Sequence, residues 1–445
     1  MPSLMTSLFG MALIAASPTT ELKYDGTLSR LDRSGDSIQV KQFDLRCYVT
    51  GDDNGRSSIV FLTTEDGGDA IAWPERIGRV NCQFDPPQQG GDAIQVLYNH
   101  DDRPHLLSLP CPVFEHRAQL AADAAWDTDA VRYTVAGSQD VDGRTCWEVE
   151  AASTGRGGTS RFVVDPETGI IQSGSRRLSM GQGVSFELAW RLDTTRELPP
   201  EEAERTAAAA ENLLTLRSSL ERENAGDDPA LSPSQLQTAA AALGDLQQHA
   251  AETSFARLAT VIARDVQAQQ QRAESVSELS AKFVGQPAPD FALVGLDGKA
   301  ISDEARQGKT LVLHFWEYQD EPLEEPYGQI GYLDFLMNRH PAEKLQVYGV
   351  AVDRQLRDPA TAPQAARSAK RLKAFMNLGY DIAADRDGKL LKAFGDPTQF
   401  DAELPLWVVI APDGKIVHYR TGFYDVDREV GLAEIDAIVS ELGRP

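Results

Sequence analysis

The sequence predicts a multidomain protein in which an antiparallel β region, a helical region and an α/β domain follow one another. Three observations support this fold class. A chain of 445 residues is too long for one ordinary hydrophobic core. Short apolar runs separated by turn residues fill 24–199, whereas good helix formers dominate 200–282. Apolar runs of strand length then alternate with helical segments over 283–445, which is typical of a sheet covered by helices on both faces.

The composition narrows the classes of partner. Hydrophobic residues make up 42% of the chain and charged residues 25%, as in a soluble protein. The net charge of −24 argues against nucleic acid as a partner, because binding to phosphates needs a basic surface. No apolar run reaches the roughly 18–20 residues that cross a bilayer, so we expect no transmembrane span in the mature chain.

The first 17 residues are predicted to be a signal peptide. An apolar core from Leu8 to Ala16 is followed by small residues that suit a signal peptidase. No basic residue precedes Lys23, although signal peptides normally begin with positive charge. A misassigned start, or a buried N-terminal strand or helix, is the alternative explanation. Removal of 1–17 would deliver the mature protein to the periplasm or cell envelope, or secrete it.

The cysteines agree with export. Cys47, Cys82, Cys111 and Cys146 are an even set, spaced too widely for a Cys-x-x-Cys redox or zinc site. They are therefore candidate disulfide cysteines, and two disulfides among them allow three connectivities. The alternative is four buried thiols in a cytosolic protein.

Strand signals in 24–199 predict an antiparallel meander or half-barrel with one face covered. The clearest unit is the apolar run 161–164, the turn cluster 165–169 and the return strand 170–171. Strand, turn and strand follow in the same order over 133–149. Residues 184–190 alternate with period two, as a half-buried strand does.

The region 200–282 is predicted to be a helical hairpin or spacer packed on its neighbours. Ser232, followed by Pro233 and Gln235, is a plausible helix start because serine caps a helix and proline suits its first turn. Phe255, Leu258, Ile262 and Val266 recur at helical spacing and form one apolar face. The alternative is a coiled-coil dimerisation arm, although sustained heptads are absent.

The region 283–445 is predicted to contain a central sheet with helices on both faces. The predicted strands are 310–316, 345–352, 406–410 and 415–419. The predicted helices are 330–338, 365–377, 389–394 and 428–442.

Several segments of this region carry a family resemblance. They are 285–291 (GQPAPDF), 296–298 (LDG), 308–316 (GKTLVLHFW), 385–388 (DRDG) and 404–414 (LPLWVVIAPDG). In this order the region resembles the thioredoxin-like superfamily, and most closely the exported disulfide reductases and related peroxiredoxins. The resemblance implies a thioredoxin-like fold and a cis-proline at Pro405.

The same resemblance implies where redox cysteines would lie. The family places Cys-x-x-Cys in the loop after Trp316, but here Asp320 and Leu323 fall at the two positions, and no cysteine follows Cys146. Only a thiolate performs dithiol exchange, so we predict no catalytic residue and no cofactor. The residues that would form a non-reacting peptide groove are Trp316, Glu317, Asp320, Glu321, Leu404 and Pro405. Alternatively, Pro405 only turns the chain.

Other polar groups suggest weaker hypotheses. Asp320, Glu321, Glu324 and Glu325 fit favourable contact with a helix dipole, with a calcium-type cation site as the alternative. The histidines of 100–105 match no metal-ligand spacing, and His314 is expected to be a hydrogen-bonded core residue, so no metal site is predicted. No hydrolase elbow, phosphate loop or zinc-protease motif occurs.

The preferred hypothesis is an exported, redox-inactive thioredoxin-like protein that binds an unknown protein or peptide, or scaffolds its N-terminal domain. One alternative is a thiol-disulfide oxidoreductase or peroxiredoxin-type enzyme, as the family resemblance suggests. A second is a lipid or lipoprotein carrier, because 163–169 (VVDPETG) is similar to a phrase of lipoprotein-carrier half-barrels. In that case Trp73, Trp126, Trp147 and Trp190 would line a lipid cavity.

Overall fold

A computed structural model describes nine stretches of the chain. They are 18–32, 36–51, 55–66, 70–101, 103–155, 158–220, 230–301, 307–319 and 329–443. The predicted signal peptide lies outside them. The chain forms two compact units, Met1–Gln267 and Ala268–Pro445.

The first unit is built on an open antiparallel sheet. Its strands in chain order are β1 (Thr19–Leu31), β2 (Ser37–Gly51), β3 (Arg56–Asp66), β4 (Ile77–Phe84), β5 (Pro87–Gly91), β6 (Ile94–His100), β7 (Arg103–Leu109), β8 (Ala125–Asp127), β9 (Val131–Val141), β10 (Arg144–Ser153), β11 (Thr159–Val164), β12 (Ile171–Met180) and β13 (Val184–Glu197). Within the described ranges, eleven strands pair in the order β5-β4-β3-β2-β1-β13-β12-β11-β10-β9-β8, and β6 and β7 form a separate hairpin. The predicted antiparallel region is therefore present as one large sheet.

The two faces of this sheet pack against different partners. Along β2, Phe43, Leu45 and Cys47 point to one face and Tyr48 points to the other, as the two-residue period of a strand requires. The first face is covered by apolar residues of the β6–β7 hairpin, including Val96. Helices cover the second face.

Those helices are α1 (Pro200–Ser219), α2 (Pro233–Ala250) and the first part of α3 (Ala256–Phe283). Ser232 caps α2 as expected: its side chain accepts a hydrogen bond from the Gln235 amide, and the Gln235 side chain accepts one from the Ser232 amide. The predicted apolar face, from Phe255 to Val266, is buried in one cluster with Trp73. The division between the two units falls inside α3, because the apolar face of its first part packs with the residues of the first unit.

The second unit is an α/β domain. Its elements after α3 are β14 (Thr310–Trp316), α4 (Ile330–Arg339), β15 (Leu345–Ala351), α5 (Ala362–Phe375), β16 (Asp381–Ala384), α6 (Lys389–Ala393), β17 (Leu406–Ile410), β18 (Ile416–Thr421) and α7 (Ala433–Leu442). The sheet order is β16-β15-β14-β17-β18. Alternate residues of β14 enter two separate clusters, Val312 on one face and Leu313 on the other, so helices cover both faces as predicted.

The last helix begins later than predicted, at Ala433 instead of residue 428. Asp427 explains the delay because its carboxylate accepts hydrogen bonds from the amides of Glu429 and Val430. Gly431 then has a φ of 73°, a left-handed backbone conformation that cannot belong to a right-handed helix, so the helix starts only after it.

Among the described residues, no helix is both long enough and apolar enough to cross a bilayer.

A buried carboxylate joins the β6–β7 hairpin to the large sheet. Glu65 on β3 accepts hydrogen bonds from the amide of Ile71 (2.9 Å) and from the amide of Leu97 on β6 (2.8 Å). The ammonium of Lys41 lies 3.5 Å from the same carboxylate, and both side chains are buried. Glu65 thus binds the backbone at Ile71 and at Leu97 and also neutralises the buried ammonium of Lys41.

Substituting Glu65 tests this anchor. Glu65→Ala removes both acceptors and the charge that faces Lys41, so we expect it to lower the free energy of unfolding by about 3–5 kcal/mol in urea denaturation. Glu65→Gln keeps an oxygen acceptor and should lower the free energy of unfolding by less than Glu65→Ala does. The control is Glu150→Ala, which removes an exposed pair with Arg161 and should cost less than about 1 kcal/mol. Equal losses for Glu65→Ala and Glu150→Ala would contradict the assignment.

Candidate functional site

The candidate site lies at one end of the five-stranded sheet. The central strand β14 runs parallel to β15 and antiparallel to β17. The last residues of β14 and β15 and the first residue of β17 therefore meet at the same end. Phe315 pairs with Leu406, which brings Trp316 and Pro405 side by side beyond that pair.

Pro405 precedes β17 and follows a cis peptide bond with Leu404. Its carbonyl accepts a hydrogen bond from the amide of Gly422 (2.8 Å) at the end of β18. Leu404 comes before the first residue of the ladder, so its own backbone groups lie outside the pairing of β17. This is the geometry that the family resemblance implies for Pro405.

An apolar surface surrounds this turn. We name it the Trp316–Pro405 surface and define it as Trp316, Leu404, Pro405 and Phe423. The rings of Trp316 and Phe423 meet edge to face with centroids 5.8 Å apart, and Phe423 is 37% exposed. Trp316 and Leu404 are partly buried, whereas Pro405 is buried. The surface therefore offers aromatic and aliphatic contacts next to a backbone segment outside the sheet.

A buried hydrogen-bond network lies beneath this end of the sheet. His314 Nδ1 and the Tyr318 hydroxyl are 2.7 Å apart, and the hydroxyls of Tyr318 and Tyr380 are hydrogen bonded. Tyr380 in turn donates to the carbonyl of Ile330 at the start of α4 (3.0 Å). His314 is thus a hydrogen-bonded core residue, as expected, and its ring also packs on Trp407. Burial raises the pKa of Tyr318, which keeps that hydroxyl neutral.

The segments on both sides of 320–328 are anchored to the domain. On one side, the amide of Tyr318 donates to the carboxylate of Asp353 (3.2 Å), which follows β15. On the other side, the side chain of Gln329 donates to the carbonyl of Tyr424 (2.6 Å) and accepts from its amide (2.9 Å). These contacts fix the described residues that border the segment corresponding to the family's redox loop.

The structure places the predicted site residues in three groups. Trp316 and Pro405 lie next to each other beyond the Phe315–Leu406 pair, Leu404 precedes Pro405 in the chain, and Glu317 is exposed. Asp320, Glu321 and Leu323 lie outside the described residues, as do Glu324 and Glu325. The four cysteines all lie in the first unit, where only Cys82 and Cys111 are neighbours. In the part of the chain that the structure describes, no three acidic, histidine or cysteine side chains are arranged to hold a metal.

Sequence reasoning missed three residues that shape the site. Phe423 and Tyr424 were assigned to no element, and in the structure they follow the end of β18 at Thr421. Asp353 could have been predicted from the sequence. It is an acidic residue that follows a buried parallel strand, and ligand sites of α/β sheets lie at the carboxyl ends of such strands.

The tryptophans proposed to line a lipid cavity are divided between two cores. Trp73 is buried on the helix-covered face, where its indole N–H donates to Asp265 (2.8 Å). Trp190 packs on the other face, and Trp126 and Trp147 are partly buried against the same cluster. Lipid binding stays a prediction that would have to use the second of these faces.

A known family model matches part of the second unit. Residues 284–419 match the AhpC/TSA family model. Thiol-disulfide oxidoreductase ResA of Bacillus thuringiensis subsp. konkukian is 25% identical over 139 residues, which are 31% of this chain and 70% of that protein. ResA of Bacillus anthracis is 26% identical over 142 residues, with the same shares.

Solved structures are similar over about a third of the chain. A putative thioredoxin from Neisseria meningitidis is 23% identical, with 35% of this chain and 88% of that one covered and a TM-score of 0.27. A thioredoxin-family thiol:disulfide interchange protein from Chlorobium tepidum TLS is 21% identical, with 36% and 97% covered and a TM-score of 0.28. The C-terminal region thus contains a thioredoxin-like domain of the redoxin type, as the family match and the ResA relatives indicate.

The carboxyl of Asp353 is expected to make the stability of this domain depend on pH. Burial, reinforced by the nearby charge of Glu317, raises its pKa from 3.8 to about 6. A raised pKa means that the folded state holds the proton more tightly than the unfolded state. The stabilising effect of protonation is therefore complete below about pH 4 and is lost as the pH rises through about 6.

Asp353→Asn tests this dependence. The amide cannot ionise but keeps an oxygen for the Tyr318 amide, so the variant should gain about 2–3 kcal/mol relative to wild type between pH 4 and pH 7.5. Urea unfolding at several pH values measures the difference. Glu317→Gln should lower the midpoint of the wild-type dependence because it removes the neighbouring charge. Parallel pH profiles for wild type and Asp353→Asn would contradict the assignment.

Proposed function

We propose that this is an exported protein whose C-terminal thioredoxin-like domain binds an extended segment of a partner protein and performs no dithiol exchange. The domain would hold the segment along the Trp316–Pro405 surface. Binding without reaction separates this function from that of the ResA proteins, whose name describes thiol-disulfide oxidoreductases.

The observation that carries the proposal is the distribution of cysteine. The chain has four cysteines, and none follows Cys146, so the region that matches the redoxin family contains no thiol. Disulfide exchange proceeds by attack of a thiolate on a disulfide sulfur, and no other side chain can replace it. Peroxide reduction of the redoxin type has the same requirement, because the thiolate is the group that is oxidised.

The chemistry of the surface supports peptide binding. Aromatic rings at a partly exposed site provide a large contact area at low entropic cost, and they dominate binding energy at protein interfaces. Leu404 lies outside the β17 ladder, which suits pairing of its backbone with an extended peptide. The anchored segments on both sides of 320–328 would limit the loss of conformational entropy on binding.

The sequence of 320–328 suggests the character of the partner. It contains Asp320, Glu321, Glu324 and Glu325 and no basic residue. A segment that combines apolar residues with lysine or arginine would complement this charge, and the association rate would fall with added salt. Export is supported by the apolar run that ends at Ala16 and by the even set of cysteines.

Disulfide and peroxide assays distinguish this function from an oxidoreductase. We expect the full-length protein to reduce neither insulin disulfides, with dithiothreitol as electron donor, nor hydrogen peroxide above the rate without protein. A variant with serine at all four cysteines serves as the control. Turnover that persists in this variant would overturn the proposal, because it would show exchange or peroxide chemistry that needs none of the thiols.

A binding assay tests the surface itself. A cysteine-free synthetic peptide that combines apolar residues with lysine serves as the extended ligand. Phe423→Ser should weaken its binding about tenfold, because it removes the exposed ring that packs on Trp316. Phe375→Ser is the matched control, since Phe375 is 76% exposed at the end of α5 and outside the surface. Equal affinities of the two variants would contradict the assignment of the surface.

A further inference from the structure

Two cysteines of the first unit are in direct contact. The sulfurs of Cys82 and Cys111 lie 3.0 Å apart, although the residues are 29 positions apart in the sequence. Cys82 is on β4, and Cys111 follows β7 by two residues. Both are almost completely buried, at 2% and 3% exposure, in the apolar cluster that covers one face of the sheet. Contact with Cys82, together with burial, raises the pKa of the Cys111 thiol.

The other two cysteines cannot reach each other. Cys47 is on β2 and Cys146 is on β10, and in the strand order β1, β13, β12 and β11 lie between them. At roughly 4.8 Å per strand, this order separates them by on the order of 24 Å. A disulfide needs Cα atoms less than about 7 Å apart, so Cys47 and Cys146 cannot pair with each other, whereas Cys82 and Cys111 are in contact.

We propose that Cys82 and Cys111 form a single disulfide and that Cys47 and Cys146 remain thiols. The bond would join β4 of the large sheet to the segment that leaves the β6–β7 hairpin. This inference concerns the first unit and goes beyond the proposed binding function of the second.

A groove on the sheet is lined in part by one member of the pair. It has a volume of about 510 Å³ and is lined mainly by polar residues of β3, β4 and β5, with Cys82 among them. Cys111 does not line it. The other lining residues on these strands include Ser57, Asn81, Gln83 and Gln88. Its volume and polar lining suit half of a small peptide disulfide such as oxidised glutathione.

The reaction needs an oxidant of that class and proceeds in two exchanges. The Cys82 thiolate attacks one sulfur of the peptide disulfide, which forms a mixed disulfide at Cys82 and releases one peptide thiolate. The Cys111 thiolate then attacks the Cys82 sulfur, which forms the Cys82–Cys111 bond and releases the second peptide thiolate. The two protons lost by the cysteines end on the two released thiols, so one disulfide is consumed and one is formed.

Mapping of thiols in the full-length wild-type protein tests the pairing without any substitution. The protein is incubated with oxidised glutathione, alkylated in denaturant and digested without reduction. We expect mass spectrometry to find a peptide linked through Cys82 and Cys111, and alkylation only at Cys47 and Cys146. Four alkylated cysteines, or a link between any other pair, would overturn the proposal.

Single substitutions test the order of the two steps. In Cys111→Ser, oxidised glutathione should leave a stable mixed disulfide at Cys82, because the resolving thiol is missing. In Cys82→Ser, Cys111 should be modified at least tenfold more slowly, because it does not line the groove. Equal rates in the two variants would contradict entry through the groove.

Thermal unfolding measures the effect of the bond. Reduction of the oxidised wild type should lower the midpoint of unfolding of the first unit by about 5–10 °C, because the bond closes the loop between β4 and the end of the hairpin. Cys47→Ser is the control, and its oxidised and reduced forms should differ by the same amount as those of wild type. A wild-type midpoint that does not change on reduction would contradict the proposed bond.

Discussion

The pairing of β14 with neighbours that run in opposite directions controls the geometry of the candidate site. A strand with one parallel and one antiparallel neighbour brings two strand ends and one strand start to the same place. Here this arrangement collects Trp316, Asp353 and Pro405, which come from three distant parts of the sequence. The strand itself is buried on both faces by separate apolar clusters, so its register has little freedom to slip.

The contacts that hold this end of the domain do not involve sulfur. His314, Tyr318 and Tyr380 form a buried hydrogen-bond network, while Gln329 and Tyr424 exchange two hydrogen bonds across 95 positions of the chain. Because folding depends on apolar burial and on these polar contacts, the cysteines of the redoxin pattern can be replaced without removing a contact described here. The described frame of the domain therefore does not depend on sulfur.

The sequence predicted the buried strands best. The bounds of β14 and β17 are the predicted ones, because a continuous apolar run between polar residues has little alternative to a central strand. The predicted sheets omitted β16, since Asp381–Ala384 is four residues long and is recognisable as a strand mainly through its pairing with β15. Competition between a side chain and the helix backbone was also not predicted. The Asp427 carboxylate accepts hydrogen bonds from amides that would otherwise lie in the first turn of α7.

Only the part of the candidate site that lies in or beside distinctive strands could be predicted from the sequence. A resemblance carried by short segments identified Trp316 and Pro405, because both lie in or beside strands whose sequence is distinctive. The partners of these residues, Phe423 and Asp353, depend on which strands are neighbours, and that information is not local. The cysteine pairing had the same character: three connectivities were open from the sequence, and the contact between Cys82 and Cys111 and the separation of Cys47 from Cys146 both depend on the arrangement of the strands.

The place of β1 in the large sheet has a consequence for synthesis of the chain. This first strand pairs with β2 on one side and with β13 on the other, so that Tyr24 faces Leu192. A ribosome working at roughly 5–20 residues per second needs on the order of ten to thirty seconds to make the segment between these two residues. For that time one edge of β1, with its unpaired amides and carbonyls, is available to other chains. A chaperone that holds the nascent polypeptide would therefore have most to protect at its beginning.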